Sequence, residues 1–518
     1  MTARPSDAIP ASFSHRETLV ILSGIMLGML LAGLDQTIVA TALPTIAREL
    51  AGAEHMSWVV SAYLLTSTAA TPIYGKLSDL YGRKAMLQAA ISFFLAASVL
   101  CALAGSMTQL IVFRALQGLG GGGLISMAHA TIADVIAPRD RGRYQGYFSI
   151  VFAASSVGGP VLGGFFAEHL TWRWVFWINL PIGVAAILIS NKALKKLVSR
   201  RTRREIDYGG AVLLVAAVTA LLLVTSWGGV EFPWLSAPIL GLAAAGLLLL
   251  VVFAFRERLA REPILPLRLF GNAIFTCSSV FSFLTSMAMF GAIVYLPLFI
   301  QLVGGDSASQ SGLLLIPLTG AIVVGAYTAG RIVSATGRYK LFPCFGLAFA
   351  SIALALLALM TAKTSHLEMC AYMALFGLGV GFVMPVAIVS VQNAIELRDL
   401  GTGTAAVNFF RSMGGAFGVS LLGALLLAQL GARIASIPGH EALGANAALD
   451  LLHGETGAMS ALSAATHALF VTELERSFTV LFAVACAISV LAFIAALFLK
   501  ELPLRTTSAL VAASKLPE

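Results

Sequence analysis

Fourteen apolar runs, each long enough to cross a bilayer as a helix, leave this chain of 518 residues few folds to choose from. A helix rises about 1.5 Å per residue and a hydrocarbon core is about 30 Å thick, so roughly twenty apolar residues make one span. The runs lie near 18–42, 57–76, 85–105, 109–134, 144–167, 174–192, 209–227, 236–255, 274–300, 311–331, 341–361, 368–391, 403–428 and 478–499. Hydrocarbon offers no water to peptide groups, so spans of this kind satisfy them internally as helices. The expected class is an all-α integral membrane protein with 14 transmembrane helices. Only 11% of residues are charged, against about 25% in soluble domains. Cys101, Cys277, Cys344, Cys370 and Cys486 have no paired spacing, which points to neither a disulfide framework nor a metal site. The first run is too long for the core of a cleavable signal and lacks a small-residue cleavage site, so it is expected to remain as a span.

An even number of spans places both termini on one side. With the N-terminus cytoplasmic, inside segments hold 26 of the 33 Lys and Arg and outside segments hold 5, while Arg114 and Arg411 fall within spans. That asymmetry selects a cytoplasmic location for both termini of a cell-membrane protein, the inner membrane in a Gram-negative cell. The densest basic run, Lys192 to Arg204, is then cytoplasmic. Anionic headgroups account for the net charge of +8 without any nucleic acid.

The two halves of the chain repeat one another. Gly75-Lys-Leu-Ser-Asp79-Leu-Tyr-Gly82-Arg83-Lys84 is echoed by Gly330-Arg-Ile-Val-Ser334-Ala-Thr-Gly337-Arg338, and Arg139-Asp140-Arg141-Gly142 by Arg398-Asp399-Leu400-Gly401. Two echoes in register argue for a duplicated six-helix unit. The expected organisation is a cytoplasmic N-terminus (1–17), a six-helix bundle (18–192), a basic linker (193–208) and two extra spans (209–255). A cytoplasmic loop (256–273), a second six-helix bundle (274–499) with a long outer loop at 429–477, and a cytoplasmic tail (500–518) follow. Within that outer loop, Ser460 to Glu475 reads either as an amphipathic surface helix or as a poorly ordered loop.

By these boundaries Asp35 is the only acid that lies away from the ends of a span. A carboxylate near mid-membrane costs about 2.5–3.5 kcal/mol on insertion scales, so it implies a function and a partner. Arg114, in the oppositely directed fourth span, lies at a similar depth. Burial disfavours the charged carboxylate and a nearby guanidinium favours it, so a change in their separation would load or release a proton. A static ion pair is the alternative. In the loop after the second span, Gly75 and Gly82 permit a tight turn, and Asp79 and Arg83 are placed to form ion pairs, with Lys84 adjoining and Asp134 as a third member. Such a cluster can latch the inner mouth in one state and release it in another. His129 reads as a packed neutral histidine in preference to a titrating one.

The Gly75–Lys84 loop resembles motif A of the major facilitator superfamily. Leu34-Asp35-Gln-Thr-Ile-Val-Ala-Thr-Ala-Leu-Pro44 is similar to the first-span motif of its fourteen-span drug:proton antiporters, the EmrB/QacA-like group. Arg114-Ala-Leu-Gln117-Gly118 resembles motif B, and Gly158-Gly159-Pro160-Val-Leu-Gly163-Gly164 the antiporter motif of the fifth span. Trp172-Arg-Trp-Val-Phe-Trp-Ile-Asn179-Leu-Pro181-Ile-Gly183 and Arg411-Ser-Met-Gly414-Gly415 fit the same group. The resemblance extends from about residue 18 to 499. It implies two six-helix bundles with two extra central spans, and proton-coupled multidrug efflux by alternating access. The glycines and Pro160 of the fifth span would in any case allow close packing and bending. The run Gly118 to Gly123 is best taken as helix packing, because no Lys-Ser/Thr follows it.

Candidate substrate contacts are Tyr63, Gln117, Phe283, Met287, Phe290, Asn408 and Arg411, where aromatic and thioether surface suits varied lipophilic ligands. Other span-nine aromatics, such as Phe281, Tyr295 and Phe299, are equally read as packing. Arg411 either faces the cavity beside Asn408 or bonds backbone carbonyls. The expected cargo is lipophilic and cationic or amphipathic, exchanged for protons, with the proton gradient as energy source and no cofactor. The expected partners are small lipophilic substrates, protons and membrane lipids, and the expected transport unit is a monomer; a periplasmic adaptor is compatible with the sequence. Export of a specific metabolite, lipid or siderophore is a rival reading, and a transport-inactive membrane receptor or sensor is another. An enzyme is disfavoured, because polar groups inside the spans form no nucleophile–base–orienter set.

Overall fold

A computed structural model describes residues 15–52, 55–194, 207–229, 232–434 and 464–506. The basic run expected at Lys192 to Arg204 lies largely outside them, as does most of the outer loop at 429–477. Among the described residues, regular structure is helical apart from one isolated bridge between Gly228 and Phe232. The first half contains α1 (His15–Glu49), α2 (Met56–Tyr81), α3 (Arg83–Ala102), α4 (Met107–Val135), α5 (Pro138–His169), α6 (Trp174–Trp177) and α7 (Asn179–Ala193). Then come α8 (Tyr208–Trp227) and α9 (Ala237–Leu259). The second half contains α10 (Ala273–Leu302), α11 (Ala308–Leu314), α12 (Ile316–Thr336), α13 (Leu341–Ala358), α14 (His366–Ala394), α15 (Leu400–Ile434) and α16 (Ala464–Leu497).

Among the described residues, thirteen helical stretches are long and apolar enough to cross a membrane. The fourteenth expected span, 57–76, forms α2 but falls short of that apolarity. Its hydroxyls are absorbed inside the protein: Thr66 Oγ1 donates to the Ala62 carbonyl at 2.9 Å, and Thr71 Oγ1 to the carbonyls of Ser67 at 2.9 Å and Gly122 of α4 at 3.2 Å. The sixth span is interrupted at Ile178, between α6 and α7. Pro181 has no N–H for the Trp177 carbonyl, which loosens that turn. The described part of Ser460–Glu475 is not a separate surface helix. From Ala464 it is the first part of α16, anchored where Arg433 of α15 pairs with Glu473 at 2.9 Å.

The same pairings recur in both halves. In the first, α1 packs on α5, α2 and α3 on α4, and α3 on α7. In the second, α10 packs on α15, α12 and α13 on α14, and α13 on α16. The α8–α9 pair leans on α2 and α15. Asp207 fixes its base by accepting from the Gly210 N–H at 2.9 Å and pairing with Arg256 at 2.7 Å. Lys76 of α2 pairs with Glu262, just after α9, at 2.7 Å.

The two bundles meet at the basic end, and the sequence echoes dock crosswise there. A Cβ on Gly75 would strike Ala405 and Gly401, and one on Gly330 would strike the backbone of Gly142. Arg139 Nε donates to the Ser334 carbonyl at 3.3 Å, and Arg141 donates to Gln392 Oε1 at 3.0 Å. Gln392 Nε2 in turn donates to the His129 carbonyl at 3.2 Å. These hydrogen bonds between the bundles all lie at this end.

Because the Gly142–Gly330 contact is backbone on backbone, Gly330→Val should wedge α5 from α12, at about 1–3 kcal/mol against the closed arrangement. Spin labels at the basic ends of these helices should report a longer distance in the variant. An unchanged distance would show that the crossing does not depend on glycine.

Candidate functional site: a buried acid network and a basic-side latch

Asp35 sits in α1 with no solvent exposure, and Arg114 of α4 is 1% exposed. Arg114 Nη1 donates to Asp35 Oδ2 at 2.5 Å. Gln117 Nε2 donates to Oδ1 at 2.9 Å, and Asn179 Nδ2 of α7 donates to the same oxygen at 2.9 Å. Arg114 is held in turn by the Val59 carbonyl, Gln117 Oε1 at 2.7 Å and the Tyr63 ring, whose centroid lies 4.3 Å from the guanidinium carbon. Asn179 also donates to Ser98 Oγ of α3 at 3.0 Å, and Ser98 donates to the Phe176 carbonyl at 2.9 Å. Arg114, Gln117 and Asn179 all donate to the carboxylate, and a buried ion is tolerable only when its charge and lone pairs are met in this way. Oδ2 thus meets one donor and Oδ1 two.

The expected latch is assembled at the basic end. Gly82 adopts φ +91° between α2 and α3, a turn that an L side chain would strain. Arg83 pairs with Asp79 at 2.6 Å and Asp134 at 2.7 Å, and donates to Ser78. Asp79 reaches across to the second bundle. It accepts from the N–H groups of Gly401 at 3.0 Å and Thr402 at 2.8 Å, and from Thr402 Oγ1 at 2.9 Å. Those N–H groups open α15, so Asp79 caps the N-terminus of a helix in the other bundle, where a negative charge is favoured. A Cβ on Gly401 would collide with Asp79 and Arg83. Lys84 is half-buried and makes no ion pair among the described residues.

A family model described as Major Facilitator Superfamily matches residues 25–419. The chain belongs to the Major Facilitator Superfamily. It is 39% identical over 487 residues to an MFS-type transporter of Mycobacterium tuberculosis, covering 94% of this chain and 70% of that one. It is 39% identical over 414 residues to the multidrug transporter protein MdtP of Bacillus subtilis, covering 80% and 76%. The structure of the proton:xylose symporter XylE shares the fold at a TM-score of 0.58 and 14% identity, covering 97% of this chain and all of that one. This is a multi-pass membrane transporter of small molecules. Among the described residues, no cluster of three or more His, Cys, Asp or Glu could hold a metal ion.

The antiporter-motif glycines divide by face. Side chains on Gly159 and Gly163 would strike Thr37, Ile38 and Thr41 of α1, whereas Gly158 and Gly164 face open space. Thr37 Oγ1 donates to the Ser155 carbonyl at 2.8 Å, and Pro160 follows in the same helix. Two of the four glycines therefore bring α5 against the stretch of α1 next to Asp35. The Gly118–Gly123 run packs α4 against α2 through Gly118, Gly121 and Gly122, and against α3 through Gly120 and Gly123.

The candidate substrate residues separate into two groups. Tyr63 and Gln117 are enclosed within the Asp35 network and do not join the residues of the second bundle. Phe283, Met287 and Phe290 are half-buried on α10 along α15, beside Gly414, Gly418 and Gly415. Phe281, Met289 and Phe299 are buried in the core. Asn408 is buried, and Arg411 is half-buried with no ion pair among the described residues. His129 donates from Nδ1 to the Ile125 carbonyl at 3.0 Å and packs on Phe148, as a neutral histidine would. In this state the Asp35 carboxylate is taken up by three protein donors. Asn179 and Gln392 were not expected as functional groups. The signal for Asn179 was a lone amide in an aromatic run, and Gln392 had none.

Gly159→Val and Gly163→Val should force α1 from α5 and abolish transport, while Gly158→Ala and Gly164→Ala should retain it. Efflux by cells with matched membrane levels of each variant checks this. Equal loss in all four would mean that helix flexibility, and not this contact, is what the motif provides.

Proposed function

We propose that this transporter is a proton-coupled antiporter that exports lipophilic and amphipathic compounds across the cell membrane by alternating access. The observation that carries the reading is the fully buried Asp35, whose carboxylate is met by Arg114, Gln117 and Asn179. Protonation removes the attraction that holds Arg114, so loading a proton and repacking α1 against α4 are one event. The same segment of α1 rests on Gly159 and Gly163 of α5. Helix movement at Asp35 is thereby passed to a helix that crosses to the second bundle at Gly142.

The positive-inside rule makes the basic end cytoplasmic, with both termini on that side. The closed contacts there correspond to a state open to the outside, with Asp35 charged and ready to take a proton. Proton entry would neutralise Asp35, loosen the network and favour opening inward through release of the Asp79–Thr402 and Arg141–Gln392 contacts. Substrate then binds from the inside or the inner leaflet, and its exit accompanies return to the outward state. The similarity to a multidrug transporter supports export over uptake and favours broad cargo over one metabolite.

Asp35→Asn should insert and fold, retain substrate exchange, and lose export driven by a pH gradient in proteoliposomes. Normal gradient-driven export by that variant would sink the coupling role. Arg114→Ala should be the more damaging change, since breaking a buried ion pair costs about 3–5 kcal/mol. Adding Asp35→Asn should restore much of the thermal stability without restoring coupling.

A further inference from the structure

Arg411 is a charged group inside a span that takes no part in the proposed coupling. It lies in α15 seven residues beyond Thr404, or about 10 Å along the axis toward the outer side. Thr404 Oγ1 accepts from Gln392 Nε2 at 3.1 Å, and Gln392 is the group that ties the bundles together through Arg141 and His129. Arg411 therefore stands just above the closure, within electrostatic reach of His129 in the first bundle. It is half-buried and has neither an ion pair nor a hydrogen bond among the described residues. An unmatched guanidinium at mid-membrane depth is expensive and marks a ligand or ion pathway.

Among the described residues no anion pairs with it. Asp35 is engaged by its three donors. His129, the neighbour within electrostatic reach, has its Nδ1 committed to Ile125. What the surroundings do offer is apolar wall and spare hydroxyls. α10 and α15 run parallel, with Phe283 against Gly414 and Met287 against Gly418. Phe283 also meets Phe417 at a ring separation of 6.0 Å. That register sets Ser279 near the level of Arg411, and the Ser279 and Ser282 hydroxyls are buried without a partner.

We propose that Arg411 is the anion-recognising group of the substrate cavity, and that it selects lipophilic compounds bearing a carboxylate or a comparable single negative charge. The apolar body of such a compound lies along Phe283, Met287 and Phe290, and its acid group takes the guanidinium. This rests on the export reading and reverses the charge preference expected from the sequence.

The test uses three probes with one aromatic body, carrying a carboxylate, its primary amide or a trimethylammonium group. In wild-type proteoliposomes, gradient-driven transport of the carboxylate should exceed that of the amide about tenfold, the scale of one charge-assisted contact. Arg411→Gln should bring that ratio near one while amide transport persists, and Arg411→Lys should keep a preference for the acid. Binding of the same probes to purified wild type gives a readout that needs no variant, and the carboxylate should bind about tenfold tighter than the amide. An unchanged ratio in Arg411→Gln, or a wild-type preference for trimethylammonium, overturns the proposal. Failure of all three probes to move in wild type overturns the export reading and this one with it. Amide export with no acid preference overturns this one alone.

Discussion

The ion pair between Asp35 and Arg114 sets the terms for the first bundle. Neither charge is tolerable alone in a region without water, and the pair is tolerable only when its remaining hydrogen-bonding sites are filled. That requirement draws one group from each of several helices: Gln117 and Arg114 from α4, Asn179 from α7, Ser98 behind it from α3, and the Tyr63 ring from α2. Glycine allows the helices to come close enough to supply them. Gly118, Gly121 and Gly122 let α2 lie on α4, and Gly159 and Gly163 let α5 lie on α1. The helix packing and the electrostatics are one solution to one problem.

The second bundle repeats the pairings without repeating this charge arrangement. Among the described residues it has no mid-span acid to mirror Asp35, and its mid-span cation, Arg411, makes no ion pair. The halves are joined where Asp79 caps α15 and Gln392 bridges Arg141 and His129. These contacts are polar and lie beside the close helix crossings at Gly142–Gly330 and Gly75–Gly401. Lys76 and Glu262 extend the junction to the α8–α9 pair, which leaves those extra spans tied to the closing helix α2.

Much of this was legible in the chain because membrane helices announce themselves by length and composition. The span positions, the buried acid, its cation partner and the Asp79–Arg83–Asp134 cluster could all be read from one-dimensional pattern and depth. α2 was recognised as a span although it is the most polar of the set, because its hydroxyls bond within its own backbone or to α4. The outer-loop segment was misjudged, since the spacing of its apolar residues suits a surface helix as well as the start of a long span. The unbroken helix from Ala464 to Leu497, the buried Phe470 and Leu474 and the contact between Arg433 and Glu473 separate the two.

The sequence by itself determined the class of fold, the doubled architecture and the identity of the one acid that must be neutralised. These follow from hydrophobic length and from the energy of a charge in hydrocarbon, which do not depend on who the neighbours are. Tertiary structure decided the rest: that Gln117 belongs to the acid network and not to a cavity, that Asn179 completes it, that two of four motif glycines touch α1, and that Arg411 is left unmatched. Each of these depends on which helix faces which. Helical periodicity fixes where a side chain sits on its own helix and says nothing about what stands opposite.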